Sequence, residues 1–424
     1  MSYKILTRES VLEYVRGHPL FDTVFDPGVA LESEEIGDGN LNLVFRVLER
    51  GGERSVLVKQ ALPYLRVAGE GWPLSKARAG FEARALEQQH RAAPGRVPRP
   101  LWFDEEMAVN AMEDLRGYVV IRAPMVARVQ FPELGYTVGR FLANTLFATS
   151  DFALPSAEKK WLSAQFSNLE LCELSEALIF TEPFYAALSR NRYSSALEAT
   201  VQSLWADAGL RAQVAHLKLR FMTYTQALLH GDLHTGSLMA TLPDAQGQCD
   251  IRVIDPEFAF FGPMGFDVGL FFANLLLNAV AQGGHAPDLL ERQTYRRYLL
   301  EQLALCWRSF ESGFLERFKA ATSPSWLEPE FQKSFLHSVF QDSMGYAGCE
   351  MIRRTIGFAH VLDLDSIPDE LERIRAERKA LELGRALIGA HRDIESIAAL
   401  ERLLLNHLQL EHLQLENVSH EVSP

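Results

Sequence analysis

The chain has 424 residues, 47% hydrophobic, 23% charged and 10% aromatic, with a formal net charge of −13. This is the composition of a globular protein large enough to bury a core without covalent staples, so wholesale disorder is excluded. The acidic balance repels phosphate backbones and anionic lipid, which argues against nucleic-acid or membrane binding; an anionic small substrate would need a local cation or metal ion.

Thr7 is placed to cap a short helix over residues 7–17, with Val11, Leu12 and Val15 recurring on one face. LNLVFRVL and SVLVKQ then flank ERGGER, two β-rich runs around a Gly-Gly turn, and predict a hairpin. Residues 75–91 carry few helix breakers and predict a helix. VPRPLWFDEEMAVNAMEDL predicts two more strands turning at Asp104–Glu106. Beyond Leu115 the pattern becomes helical, over 137–150, 157–180, 197–229, 290–320 and 330–361. A β-like island interrupts it at 238–241 and 250–255. VGLFFANLLLNAVA is shorter than the ~18–20 residues that span a bilayer and is broken by Asn274 and Asn278, so it reads as a buried helix. An amphipathic helix is expected over 396–417, its Leu-rich face a packing or dimer face. The organisation expected is an α+β lobe over 1–115 followed by a helical lobe over 116–424. The opening MSYKILTRESVLEYV lacks the apolar core of a signal peptide, and Cys172, Cys249, Cys306 and Cys349 form no CxxC pair. Free thiols in a reducing cytoplasm are expected.

Four segments carry chemistry. IGDGNLNLVF has two glycines in a turn whose amides can approach phosphate, with Asn40 as an added donor. Lys59 lies in an apolar strand, where a buried ammonium needs a partner; Glu82 and Glu87 of the following helix are candidates, and the more apolar surroundings favour Glu82. LLHGDLHTGS places Asp232 in a turn after an apolar helix; a metal pair of His230 and His234 lacks the HExxH pattern and a third ligand. In VIDPEFAFFGPMGFDVG, Asp255 and Glu257 are two hard oxygen donors suited to Mg²⁺. Each alone also has a plain reading, as a simple turn, an edge-strand lysine, a capping aspartate or a surface turn. Their order is more specific. The lysine, helix glutamate, HGD loop and DxE turn form the parts list of phosphoryl transfer, with the two aspartates 23 positions apart.

HGDLHTGS resembles the catalytic loop of the protein-kinase-like small-molecule kinases, which include aminoglycoside and choline kinases. GDGNLNLVFRV, WPLSKARAGFE, MEDL, IDPEFAFFGPMGFDVG and GYAGCEMIRRTIGFAHVLDL are similar to the 5-methylthioribose kinases, a resemblance running from about residue 5 to 400. It implies a bilobal protein-kinase-like fold, a small antiparallel sheet lobe and a large helical lobe. It also implies ATP-dependent phosphorylation of the 1-hydroxyl of 5-methylthioribose in methionine salvage, with Mg²⁺, by a cytoplasmic homodimer.

The resemblance further implies that Asn40 and Lys59 contact ATP phosphates, with Glu82 as the lysine's ion-pair partner. Glu113, Asp114 and Leu115 form the hinge whose backbone holds adenine. Asp255, Pro256 and Glu257 lie beside ATP, the two acids holding Mg²⁺. Asp232 orients the sugar hydroxyl and accepts its proton, and Asp267 anchors the catalytic loop. Arg353 and Arg354 meet the sugar and the moving phosphoryl group. Neighbours on a helix lie about 100° apart, so the pair is expected to flank a ligand without sharing one direction. Trp72 and its loop close over nucleotide or substrate, the plain alternative being a core tryptophan. Ser237 stands where relatives often carry a metal-binding asparagine, which leaves the number of metal ions open. The catalytic loop reads HGD where protein kinases carry HRD, and DFG and APE motifs are absent, which argues against regulation by loop phosphorylation. An amino-alcohol or aminoglycoside kinase would need an acidic pocket, against which the Arg pair speaks. A non-catalytic nucleotide scaffold would not need Lys59, Asp232, Asp255 and Glu257 together.

Overall fold

The computed structural model describes every residue except 1–2, 38–40, 65, 67–68, 70, 189 and 409–424. Thr7 caps the first helix, α1 (Arg8–Gly17): its hydroxyl accepts from the Ser10 amide while the Ser10 hydroxyl accepts from the Thr7 amide. Strands β1 (Leu31–Glu35), β2 (Asn42–Glu49), β3 (Ser55–Ala61), β4 (Pro100–Asp104) and β5 (Val109–Glu113) form one antiparallel sheet in the order β1-β2-β3-β5-β4. The β2–β3 turn passes through Gly51 at φ +73°, a conformation that favours glycine. Alternation sends Phe45, Val47, Val56 and Val58 to one face, packed with Val11 and Val15 of α1. The other face receives α2 (Arg78–Ala92). Lys59 pairs with Val44 on one side and Asn110 on the other, so it sits in the middle of the sheet on the α2 face.

The larger lobe begins with β6 (Tyr118–Val120), which the sequence pattern does not reveal, and α3 (Arg122–Val126). Helices α4 (Leu134–Ala148), α5 (Ser156–Ala164), α6 (Leu169–Phe180), α7 (Glu198–Ala206) and α8 (Ala208–Thr223) follow. Short strands β7 (Ala227–Leu228), β8 (Leu238–Thr241), β9 (Ile251–Val253) and β10 (Phe261–Gly262) come next. The chain ends in α9 (Gly265–His285), α10 (Leu289–Phe318), α11 (Pro329–Ile356), α12 (Leu362–Asp365), α13 (Glu370–Ala390) and α14 (Ile397–Leu408). The arrangement expected from the sequence, a small antiparallel sheet lobe followed by a large, mostly helical one, is the one observed.

Helix α9 is buried and packs against α10, α11 and α13. Among the described residues it alone is long and apolar enough to cross a membrane, and it lies wholly inside the protein. Helices α4 and α10 approach closely because Gly135 and Gly139 present no side chain; a Cβ on Gly139 would stand 2.3 Å from the Cys306 carbonyl oxygen. The helical runs differ in detail from expectation. The 157–180 run breaks between α5 and α6, where the buried Asn168 side chain donates to the carbonyls of Glu257 and Ala259. The 197–229 run breaks at Asp207, which caps α8, and ends in β7. The 330–361 run stops at Ile356, before Gly357. The last helix is described only to Leu408, so the rest of the expected 396–417 helix lies outside the described residues.

Strands β6, β8 and β9 form one small antiparallel sheet, and β7 pairs with β10. The HGD loop connects β7 to β8, and the DPE turn connects β9 to β10. These pairings bring the two loops together. The four cysteines are free.

Candidate active site

The HGD loop is built around Gly231, at φ +85°; a Cβ there would lie 2.2 Å from the Phe258 carbonyl oxygen. Asp267, from the first turn of α9, accepts the amides of His230 at 2.6 Å and Gly231 at 3.0 Å. It therefore anchors the loop, as expected. His230 spends Nε2 on the Ile254 carbonyl at 2.8 Å, while its Nδ1 accepts the Asp232 amide at 3.3 Å. Both ring nitrogens are occupied, so the His230–His234 metal pair is not formed. Ser237 also braces the loop, its hydroxyl donating to the Asp232 carbonyl at 3.0 Å and lying 3.1 Å from His234 Nδ1.

Asp232 sits at the centre with its side chain 25% exposed. Its Oδ1 accepts from Nη2 of Arg353 at 3.3 Å and of Arg354 at 3.4 Å, and Oδ2 lies 3.3 Å from His234 Nε2. Burial pushes the carboxyl upward, but His234 and the two guanidiniums hold it well below the usual carboxylate range. Burial also pulls His234 down to about 4, against the pull of Asp232. The structure corrects the expectation that the arginines diverge. Both reach the same oxygen of Asp232, and both rest on the buried carboxylate of Glu350. The 100° rule fixes where successive side chains leave the helix; long guanidinium arms can still converge on a common anion.

Lys59 reaches from the sheet to the DPE turn. Its Nζ donates to Glu82 Oε1 at 2.9 Å and to Asp255. Burial disfavours its charge, yet the carboxylates of Asp255, Glu82 and Glu257 raise its pKa overall. Glu82 is therefore the partner, while Glu87 is exposed and faces Arg91. Asn110, beside Lys59 in the sheet, donates to the other Glu82 oxygen at 3.3 Å.

Asp255 adopts φ +68°, unusual for a residue with a Cβ, and its side chain is 43% exposed. Two residues on, across Pro256, Glu257 is buried: Asn42 donates to its Oε2 at 2.8 Å and Arg78 Nε lies 3.6 Å away. Burial pushes Glu257 up to about 7, with Lys59 opposing and the neighbouring carboxylates adding to the rise. Ligand oxygens of Glu82, Asp255 and Glu257 all lie within 4.8 Å of one another, the one such group of three among the described residues. Hard oxygen donors gathered this closely fit Mg²⁺. Both oxygens of Glu82 are taken, by Lys59 and Asn110, whereas Lys59 meets Oδ1 of Asp255 and Asn42 and Arg78 meet Oε2 of Glu257, so Asp255 and Glu257 each keep a second oxygen with which to hold it.

The remaining candidates are more dispersed. Asn40 lies outside the described residues. The 113–115 segment begins with the last residue of β5. The Glu113 side chain accepts the Arg99 amide at 2.9 Å, Asp114 accepts from Arg46 Nε at 2.6 Å, and Leu115 is buried. These polar side chains are spent on neighbours, so a ligand would meet mainly the backbone. Trp72 is half-buried and is no core tryptophan. Its ring packs 5.3 Å from Phe358, just past α11, with the Arg190 guanidinium 4.6 Å from its centroid.

Several residues at the site escaped the sequence reading. Arg78 and Asn42 hold Glu257 from the smaller lobe, and Arg78 also binds the Leu62, Ser75 and Leu41 carbonyls. Its spacing of four from Glu82 on one helix face was a usable signal. Arg122, beside the loop, donates from Nε to Thr235 at 3.0 Å and from Nη2 to Asn274 at 2.9 Å, and lies 3.8 Å from Asp363. Burial pulls it down to about 10. Glu350, three and four residues before the arginines, carried a helical-spacing signal of the same kind.

Residues 32–306 match the model of the phosphotransferase enzyme family. The methylthioribose kinase of Geobacillus sp. (strain WCH70) is 42% identical over 381 residues, 90% of this chain and 91% of that protein. That of Bacillus cereus (strain AH187) is 41% identical over 404 residues, 94% of this chain and 97% of that one. Among solved structures, choline kinase from Cryptosporidium parvum Iowa II aligns at 13% identity and a TM-score of 0.47, over 95% of this chain and 98% of that one. At this level of identity along nearly its whole length, the chain belongs to the methylthioribose kinase family of phosphotransferases.

Proposed function

We propose that this protein moves the γ-phosphoryl group of ATP to the 1-hydroxyl of 5-methylthioribose, giving the 1-phosphate, as a step of methionine salvage. The observation that carries this reading is the convergence of Lys59, Asp255 and Glu257 beside one another, with Asp232 on the adjoining loop under two guanidiniums. The relatives' shared name supplies the acceptor.

In this reading residues 1–115 form the nucleotide-binding lobe, Glu113–Asp114–Leu115 its hinge, and residues 116–424 carry the catalytic loop and acceptor site. Lys59, steadied by Glu82, meets the ATP phosphates, with Asn40 a further donor there. Asp255 and Glu257, flanking Pro256, hold Mg²⁺, which supplies charge neutralisation on the phosphates when bound. Asp232 holds the acceptor hydroxyl in line. Its depressed pKa makes it a poor base toward a free alcohol, so proton transfer comes late, as the bond to phosphorus makes that hydroxyl acidic. His234 steadies the second carboxylate oxygen. Arg353 and Arg354 face the sugar and the charge on the moving group, and Trp72 brings its loop down beside them. Three guanidiniums, Arg122 included, suit a hydroxyl-rich or anionic acceptor better than a cationic amine. Free thiols support a cytoplasmic setting; a homodimer is the family's expectation.

The test is an acceptor panel of methylthioribose, ribose, choline, homoserine and kanamycin with Mg²⁺-ATP, read by ADP release and by the position of the new phosphate. Turnover confined to methylthioribose is expected. Preference for choline or kanamycin, or no ADP release with any acceptor, would overturn the reading.

A further inference from the structure

Glu350 lies on α11 with 0% of its surface exposed. A buried carboxylate is costly unless its oxygens are filled. Here each oxygen takes one arginine: Arg353 Nε reaches Oε2 at 2.5 Å and Arg354 Nε reaches Oε1 at 2.8 Å. Each guanidinium is thus gripped along its Nε edge, and its Nη2 is the group that meets Asp232 Oδ1. Two adjacent guanidiniums repel. With Glu350 behind and Asp232 in front, the four groups are balanced in charge. The two carboxylates together draw arms that leave the helix in different directions onto one point.

The two carboxylates are not equivalent. Asp232 is partly exposed and is the group the acceptor hydroxyl has to engage. Glu350 is sealed from solvent, and among the described residues its carboxylate meets the site through the two arginines. We propose that Glu350 is the positioning residue of the acceptor site. It holds both guanidiniums by Nε, so that when the acceptor hydroxyl takes over contacts on Asp232, the two Nη2 groups stay aimed at the sugar and the transferring phosphoryl group. This rests on the acceptor-site reading above and adds a residue to it.

Glu350→Gln keeps the volume but leaves one acceptor oxygen, so one arginine loses its hold. Small displacements of positioning groups cost about 10²-fold, and that loss is expected in kcat/KM for methylthioribose, with KM for Mg²⁺-ATP changed by no more than about twofold. A purely structural role would instead lower thermal stability and affect both substrates alike, and that result would overturn the proposal. So would wild-type acceptor kinetics. A second measurement needs no acceptor: phenylglyoxal labelling of Arg353 and Arg354, read by peptide mass spectrometry, should rise several-fold in Glu350→Gln. Unchanged labelling would also overturn the proposal. If the wild-type protein does not phosphorylate methylthioribose, the functional reading fails while the labelling still judges the positioning. Should Glu350→Gln fold poorly, Arg353→Lys asks the same question, because lysine keeps the charge but cannot bridge Glu350 and Asp232. The same acceptor-specific loss is expected there, and normal acceptor kinetics would refute the proposal.

Discussion

Asp232→Asn isolates the charge of the central carboxylate from its shape. The amide oxygen can stay with Arg353 and Arg354, which places the NH₂ toward His234. His234 can accept it at Nε2 by shifting its proton to Nδ1, which faces the Ser237 hydroxyl. The loop geometry is therefore retained, with Asp267 still holding the amides of His230 and Gly231. What disappears is one negative charge shared by two guanidiniums, with Glu350 remaining behind them. Breaking a fully buried pair costs about 3–5 kcal/mol; with Asp232 a quarter exposed and Glu350 still in place, about 1–3 kcal/mol of stability is expected to go. The loss of the proton acceptor should lower kcat by about 10²–10⁴-fold, or roughly 3–5 kcal/mol of barrier. Nucleotide affinity should hardly change, because Lys59, Asp255 and Glu257 do not contact the substituted group. The assay is ADP release with both substrates saturating, alongside calorimetric titration with ATP. Wild-type turnover in Asp232→Asn would remove Asp232 from its assigned role; a matching fall in ATP affinity would place it in the nucleotide site.

Arg353→Ala and Arg354→Ala each remove charged hydrogen bonds worth about 1.5–3 kcal/mol, so sugar affinity should weaken by about 10–10²-fold while ATP titration stays near normal; the reverse pattern would reject the assignment. His234 gives a pH prediction. In the folded protein it loses its proton at about 4, whereas in the unfolded chain it does so near ~6.5. Between those values the unfolded chain binds the extra proton, so stability should fall as pH drops from ~6.5 toward 4, and His234→Gln should flatten that dependence. Urea unfolding at several pH values reads this, and identical slopes for both proteins would refute it. Because the imidazole is already neutral above that range, the kcat profile between ~5 and 8 should show no limb from His234. Gly139→Ala would drive a methyl group against the Cys306 carbonyl oxygen. Overpacking of about 1–3 kcal/mol should outweigh the ~1 kcal/mol gain in helix propensity. Unchanged denaturant stability would mean that α4 and α10 are not so closely packed.

Much of the fold follows from short-range chemistry. The Thr7–Ser10 cap, the Gly51 turn between alternating strands, the breaker-free α2 and the apolar α9 each depend on neighbours within a few residues. Part of the site was legible on the same grounds. A lysine in an apolar strand requires a carboxylate, so Lys59 pointed to Glu82, and the DPE turn pointed to paired oxygen donors. Asn40 and Gly39 of the glycine turn lie outside the described residues.

Other features depend on groups that meet only when the lobes and loops are assembled. Arg353 and Arg354 looked divergent because helix geometry governs where a side chain begins; their guanidiniums converge because Asp232, more than 120 positions away in the chain, and Glu350 present anions in a poorly solvated interior. Arg78 and Asn42 could be matched to Glu257, and Trp72 to Phe358, only once the chain had brought them together. Local residue order dictates secondary structure because backbone preferences and periodic burial are short-ranged. Partners for buried charge are chosen by proximity in the folded molecule, which residue order alone does not reveal.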